Sequence, residues 1–207
     1  MNRPRERAAT RTWICLVITM LATPIVSCGS SSTSPSQATT NLLHVDVTDP
    51  SGDARPLAGL ARSPDFIRGA ADVGNGTISF SMRFATGTFD PATTLVIIEL
   101  DVDQNPSTGQ SDSGLGADYL VSLGSGFGAQ ALVGHYAGSL ANFTSVGNAS
   151  VTTVSDGMDV TIPLSLLGND DGRVDFRMIA FAHLAGSPTS GGLDWMPDTN
   201  LPGARIQ

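Results

Sequence analysis

The stretch FIRGAADVGNGTISFSMRF, residues 66–84, decides the architecture. Its second half alternates: Ile78, Phe80, Met82 and Phe84 fall on one side of an extended chain, and Thr77, Ser79, Ser81 and Arg83 on the other. Side chains along a strand point to opposite faces in turn, so this period describes a strand with one face in a core and one in water. The turn residues Gly74, Asn75 and Gly76 precede it, which predicts a hairpin over residues 66–84. Working outward, LHVDV (43–47), LVIIEL (95–100), DYLVSL (118–123), AQALVGHY (129–136), ASVTTV (149–154), MDVTIP (158–163) and VDFRMIAFAHL (174–184) read as further strands. LSLLGNDDG (164–172) is the one short helical or turn-like piece, and Gly168 is placed to end it. No helix of ten residues fits between the strands, which excludes folds that alternate strand and helix. The 23 glycines and 12 prolines suit short strands joined by tight turns. The expected fold is all-β, an antiparallel, jelly-roll-like β-sandwich of eight or nine strands.

The N-terminus reads as an export signal. Arg3, Arg5, Arg7 and Arg11 precede an apolar run from Trp13 to Val26 that is short for a membrane span. It ends in Ile25-Val26-Ser27-Cys28, which resembles a bacterial lipobox. That resemblance implies cleavage before Cys28 and a lipid on its sulfur, so the domain would sit in the cell envelope, anchored to a membrane. A plain secretory signal cut near Ser27 is the competing reading. Residues 1–27 are thus read as signal peptide and residues 28–41, rich in Ser and Thr, as a flexible tether. The β domain is expected over 42–207. Past residue 27 the chain carries seven arginines against eighteen acids, and Cys28 is its one cysteine. The charge argues against a nucleic-acid partner, and the cysteine count removes any internal disulfide.

The acids are concentrated. Residues 84–172 hold ten carboxylates and no lysine or arginine, with His135 as the one residue there that can become basic. Asp101, Asp103, Asn105 and Asp112 lie in one loop after LVIIEL, and Asp118 opens the next strand. If those strands pair antiparallel, Asp118 returns beside Asp101 and Asp103. Two carboxylates about 4 Å apart repel by roughly 4 kcal/mol at an effective dielectric near 20. A cation relieves this, and an all-oxygen donor set selects a hard ion such as Ca²⁺. The loop is no EF-hand, because Pro106 stands where that motif needs glycine and strands flank it. The competing reading is a solvated turn in which Asp and Asn bond their own backbone.

The segment LDVDQNPSTG…GLGADYLV resembles the acidic loop of DOMON-like sandwiches related to family 9 carbohydrate-binding modules. DPSGDARP (49–56), PDFIRGAADVGNGTISFSMRF (64–84) and DWMPD (194–198) fit the same pattern. The resemblance implies a jelly-roll-like sandwich with structural calcium, held by Asp101, Asp103, Asn105 and Asp118, with Asp49, Asp53 and Asp198 as weaker candidates. It leaves function open, since such sandwiches host several.

Catalytic signatures are sparse. His44, His135 and His183 lack zinc spacing, there is no nucleophile elbow, and Glu99 is the one glutamate past residue 27. The expectation is a non-enzymatic binding or interaction module. Trp195 is the candidate platform for a glycan, with a lid over the core as its competing role. A glycan and an envelope protein both stand as partners. A purely structural or adhesion lipoprotein is the second reading, and a small envelope hydrolase the third.

Overall fold

The computed structural model describes residues 43–110, 114–136, 143–183 and 193–207. The signal peptide, Cys28, the tether and Asp112 lie outside the described residues. Among the described residues eleven strands form, all in antiparallel pairs: β1 (Leu43–Thr48), β2 (Phe66–Gly74), β3 (Thr77–Phe84), β4 (Thr94–Asp101), β5 (Tyr119–Gly124), β6 (Gln130–Tyr136), β7 (Phe143–Val154), β8 (Gly157–Pro163), β9 (Asp175–Ala182), β10 (Asp194–Met196) and β11 (Ala204–Arg205). The expected hairpin is β2–β3, with Val73 opposite Ile78 and Gly74 opposite Thr77 across the turn. The expected period holds, since Ile78, Phe80, Met82 and Phe84 are all at most 1% exposed. The short helical piece is a single 3₁₀ turn, Leu164–Leu167, closed by Gly168 in the left-handed conformation.

The count exceeds the expected eight or nine because β10 and β11 have only three and two residues. Strands that short carry no readable alternation and exist because β9 offers them a hydrogen-bonding edge. β7 also begins earlier than ASVTTV predicts. Its first residues, Phe143 to Val146, are exposed, so backbone pairing with β6 extends it rather than burial.

The strands follow one hydrogen-bonded path, β1-β2-β3-β8-β7-β6-β5-β4-β9-β10, with β11 added beside β9. The sheet rolls until its two ends meet, nearly closing a barrel. Sectors remote along the path touch through the interior: the rings of Phe80 on β3 and Phe176 on β9 meet edge to face at 5.1 Å. Where the ends meet, the Met196 side chain of β10 lies over Gly69 of β2, with its Cε 2.4 Å from where a Cβ would sit, so a side chain there would have to displace the end of Met196. The inner lining is almost wholly apolar. Polar chemistry is therefore displaced to the β4–β5 loop and to the seam.

Candidate functional site

β4 and β5 pair in register from Leu95 opposite Gly124 to Leu100 opposite Tyr119, which returns Asp118 to the foot of β4 as expected. Asp118 N–H donates to Leu100 O at 2.8 Å. Its Oδ2 in turn accepts from Val102 N–H at 3.1 Å and Asp103 N–H at 3.4 Å. Asn105 N–H donates to Asp101 Oδ1 at 3.1 Å and to Asp103 Oδ1 at 2.9 Å. The Thr108 hydroxyl donates to Asp103 as well. Two glycines let the loop fold this tightly. A Cβ on Gly116 would lie 2.6 Å from Pro106 Cα, and one on Gly109 2.4 Å from Ala117 O, and both have positive φ.

Asp101, Asp103 and Asp118 each place one oxygen within 4.8 Å of the others. Asn105 takes a different part: its side-chain oxygen accepts from Ser107 N–H, and its contribution to the carboxylates is its backbone N–H. The local Asx turns of the competing reading are therefore present. They do not account for Asp101, which is 0% exposed and whose Oδ2 meets no donor. A buried carboxylate oxygen without a partner is costly unless it is protonated or coordinates a cation. Burial foremost, then the adjoining Asp103 carboxyl, pushes Asp101 up to about 7. Burial also raises Asp118 and, beside it, Asp170.

One expectation needs correcting. The loop does have a basic neighbour, Arg205 of β11, which the long arginine-free window hides. Arg205 pairs through Nε and Nη2 with Asp175, the residue directly opposite Asp101 on β9. This offsets the like-charge pair across the ladder. Both polar groups of the Asp175 carboxylate are engaged in that fork, and the three clustered carboxylates remain without an ion pair to arginine among the described residues.

A second acidic group lies at the seam. Asp49 and Asp53, in the loop after β1, each have an oxygen within 4.8 Å of one on Asp194 of β10. Burial, then the charges of Asp194, Asp53, Asp198 and Asp65, pushes Asp49 up to about 8; burial foremost pushes Asp194 up to about 7. Of the weaker sequence candidates, Asp49 and Asp53 are thus brought together, whereas Asp198 stays at the margin, felt by Asp49 and by Arg177. Asp65 and Asp194 were not singled out from the sequence. The available signal was weak: each is a single aspartate at the start of an apolar strand-like run.

Trp195 is half-buried and lies on β10 opposite Ile179. The Arg55 guanidinium carbon lies 5.0 Å from its ring centroid and covers one face. His44 sits on an exposed strand face between Asp46 and Asp72, and His135 packs on Tyr119. No family model matches the chain, and no curated protein matches it.

The raised carboxyls set the pH response of the metal-free protein. Asp101, Asp194 and Asp49 hold protons in the folded chain up to about 7, 7 and 8, against 3.8 when unfolded. Between these limits the folded state binds more protons, so stability falls as pH rises. Urea midpoints measured in chelator should therefore drop between about pH 5 and about pH 8. A midpoint that climbs over this interval would show that these carboxyls are ionised and otherwise compensated.

Proposed function

We propose that the chain is an exported, lipid-anchored, non-enzymatic binding or interaction module of the cell envelope, held by a structural Ca²⁺. Asp101, Asp103 and Asp118 would hold the ion, with the Asn105 side chain close enough in sequence to turn toward it. The observation that carries this is the fully buried Asp101, which has an oxygen, Oδ2, without a donor and shares a 4.8 Å oxygen cluster with Asp103 and Asp118. The donors are all oxygen and irregularly arranged, which suits Ca²⁺ better than the strict octahedron of Mg²⁺. The ion would supply charge compensation and a cross-link between β4 and β5. The contact of Phe80 with Phe176 supports reading the rolled sheet as a flattened, jelly-roll-like sandwich. The acidic surplus past residue 27 is in keeping with a partner that is not a nucleic acid.

For the purified chain, chelator should lower the melting temperature, Ca²⁺ should restore it and Mg²⁺ should restore less. A ligand confined to the folded state stabilises it by about 2.7 kcal/mol at 100 times its dissociation constant. Asp101→Asn should flatten the calcium response. A melting temperature indifferent to chelator and Ca²⁺ would leave the loop as an acidic turn.

A glycan partner rests on Trp195, and the Arg55 guanidinium over its ring favours the second reading, a purely structural or adhesion lipoprotein. The two readings separate cleanly. As a platform, Trp195→Ala removes polysaccharide binding and leaves the fold intact; as a lid, it costs about 3–5 kcal/mol of stability. A large stability loss with polysaccharide binding retained would rule out the platform.

Anchoring is tested separately. Palmitate labelling of cells expressing the chain should disappear in Cys28→Ala, with the precursor left uncleaved. One acyl chain binds a membrane only marginally, so stable attachment needs the multiply acylated cysteine that this signal class implies. Labelling that persists in the variant would exclude the lipobox.

A further inference from the structure

We propose that the carboxylates of Asp49, Asp53 and Asp194, backed by Asp65, form a second divalent-cation site whose ion fastens the seam of the rolled sheet. This site stands apart from the β4–β5 loop and does not rest on it.

The seam joins elements at opposite ends of the hydrogen-bonded path, β1–β2 and β10. Among the described residues no strand ladder crosses it. Closure depends on a few separate contacts: Arg55 N–H donates to Leu193 O at 2.7 Å, Phe66 N–H donates to Asp194 Oδ2, and Met196 packs on Gly69. Aspartates converge there from three segments: the loop after β1, the residue before β2, and β10. The convergence alone would be unremarkable for an exposed acidic surface. Two oxygens take it further. Asp65 is 5% exposed, with Oδ2 accepting from Gly52 N–H at 2.9 Å and Oδ1 meeting no donor. Gly52 lies between Asp49 and Asp53, so the Asp65 carboxyl is directed at the loop that carries them. Asp49 is half-buried, yet its Oδ2 atom is covered and has no donor, and Asp49 belongs to the set that places oxygens within 4.8 Å of one another.

Orphaned buried carboxylate oxygens from separate segments are what a hard cation recruits. The Asp194 oxygens each accept one backbone N–H, from Phe66 and Trp195, which fixes the carboxylate and leaves lone pairs for a metal. An ion here would bind the β1–β2 loop to β10 and so supply the cross-seam bonds that the missing ladder does not. Ca²⁺ is the fitting ion, because the donors are carboxylate oxygens in an irregular set.

The site is adjacent in sequence to Trp195, which provides a reporter. Tb³⁺ added to the chelator-stripped full chain should give luminescence sensitised by tryptophan excitation and displaced by excess Ca²⁺. That emission should be lost in Asp49→Asn, in Asp53→Asn and in Trp195→Phe, and kept in Asp101→Asn. Asp53 is exposed and Asp49 Oδ2 makes no hydrogen bond, so both asparagine variants should fold, as circular dichroism would verify. Equilibrium dialysis should count one fewer Ca²⁺ in either seam variant, one fewer in Asp101→Asn, and the combined loss in the double variant. Emission absent from the unaltered chain, emission that survives both seam variants, or an unchanged calcium count in them would overturn the proposal. An unchanged count in Asp101→Asn would instead strike only the loop site.

Discussion

A sheet with one apolar face must bury that face, and here it does so against itself. Phe80 and Phe176, far apart along the strand path, touch because the sheet has rolled until its inner faces meet. The hydrophobic surface removed from water by this closure is the main favourable term for such a fold. Everything polar then follows from where the roll leaves gaps. Along the strands the outward residues reach water, as the His44, Asp46, Arg68 and Asp72 network on β1 and β2 does. At the seam and at the foot of β4, Asp65, Asp194 and Asp101 have no such outlet, while Asp53 and Asp103 beside them remain exposed.

Those two places share a physical problem and differ in how the chain eases it. At the foot of β4, backbone amides of residues 102, 103 and 105 point at the carboxylates, and Arg205 neutralises Asp175 across the ladder. At the seam the carboxylates come from three segments, and the backbone amides of Gly52, Phe66 and Trp195 donate to them. Hydrogen bonds to ionised groups contribute more than neutral ones, yet one oxygen of Asp101, Asp49 and Asp65 is left without any. Proton uptake and cation binding are the two ways to settle such oxygens. They respond oppositely to pH, since a proton competes with a metal for the same lone pairs.

The buried Arg177 illustrates a different solution to the same constraint. It lies on β9 opposite Glu99 and is 2% exposed, and it donates to Pro197 O at 3.2 Å and Leu201 O at 2.7 Å. A charge that cannot reach water here holds down the segment that follows β10. It thereby fixes the approach of β11, whose Arg205 serves the acidic loop. The seam, through β10, and the loop, through β11, thus both adjoin β9.

Period-two alternation made β3 and β8 legible in the sequence, since Ile78, Phe80, Met82 and Val160, Ile162 are apolar at every second residue for a local, covalent reason. Gly168 as the stop of the short turn was legible for the same reason. So was the grouping of Asp101, Asp103 and Asp118, because a hairpin returns its end to its start. Only the tertiary structure could place Asp194 and Asp65 beside Asp49 and Asp53, or Arg205 beside Asp175. The meetings of Arg205 with Asp175 and of Asp194 with the aspartates of the β1–β2 segment join residues 30 to more than 100 positions apart, and no local pattern encodes them. They arise because burying one continuous apolar face rolls the sheet, and the roll, more than any single residue, determines which distant carboxylates share a space.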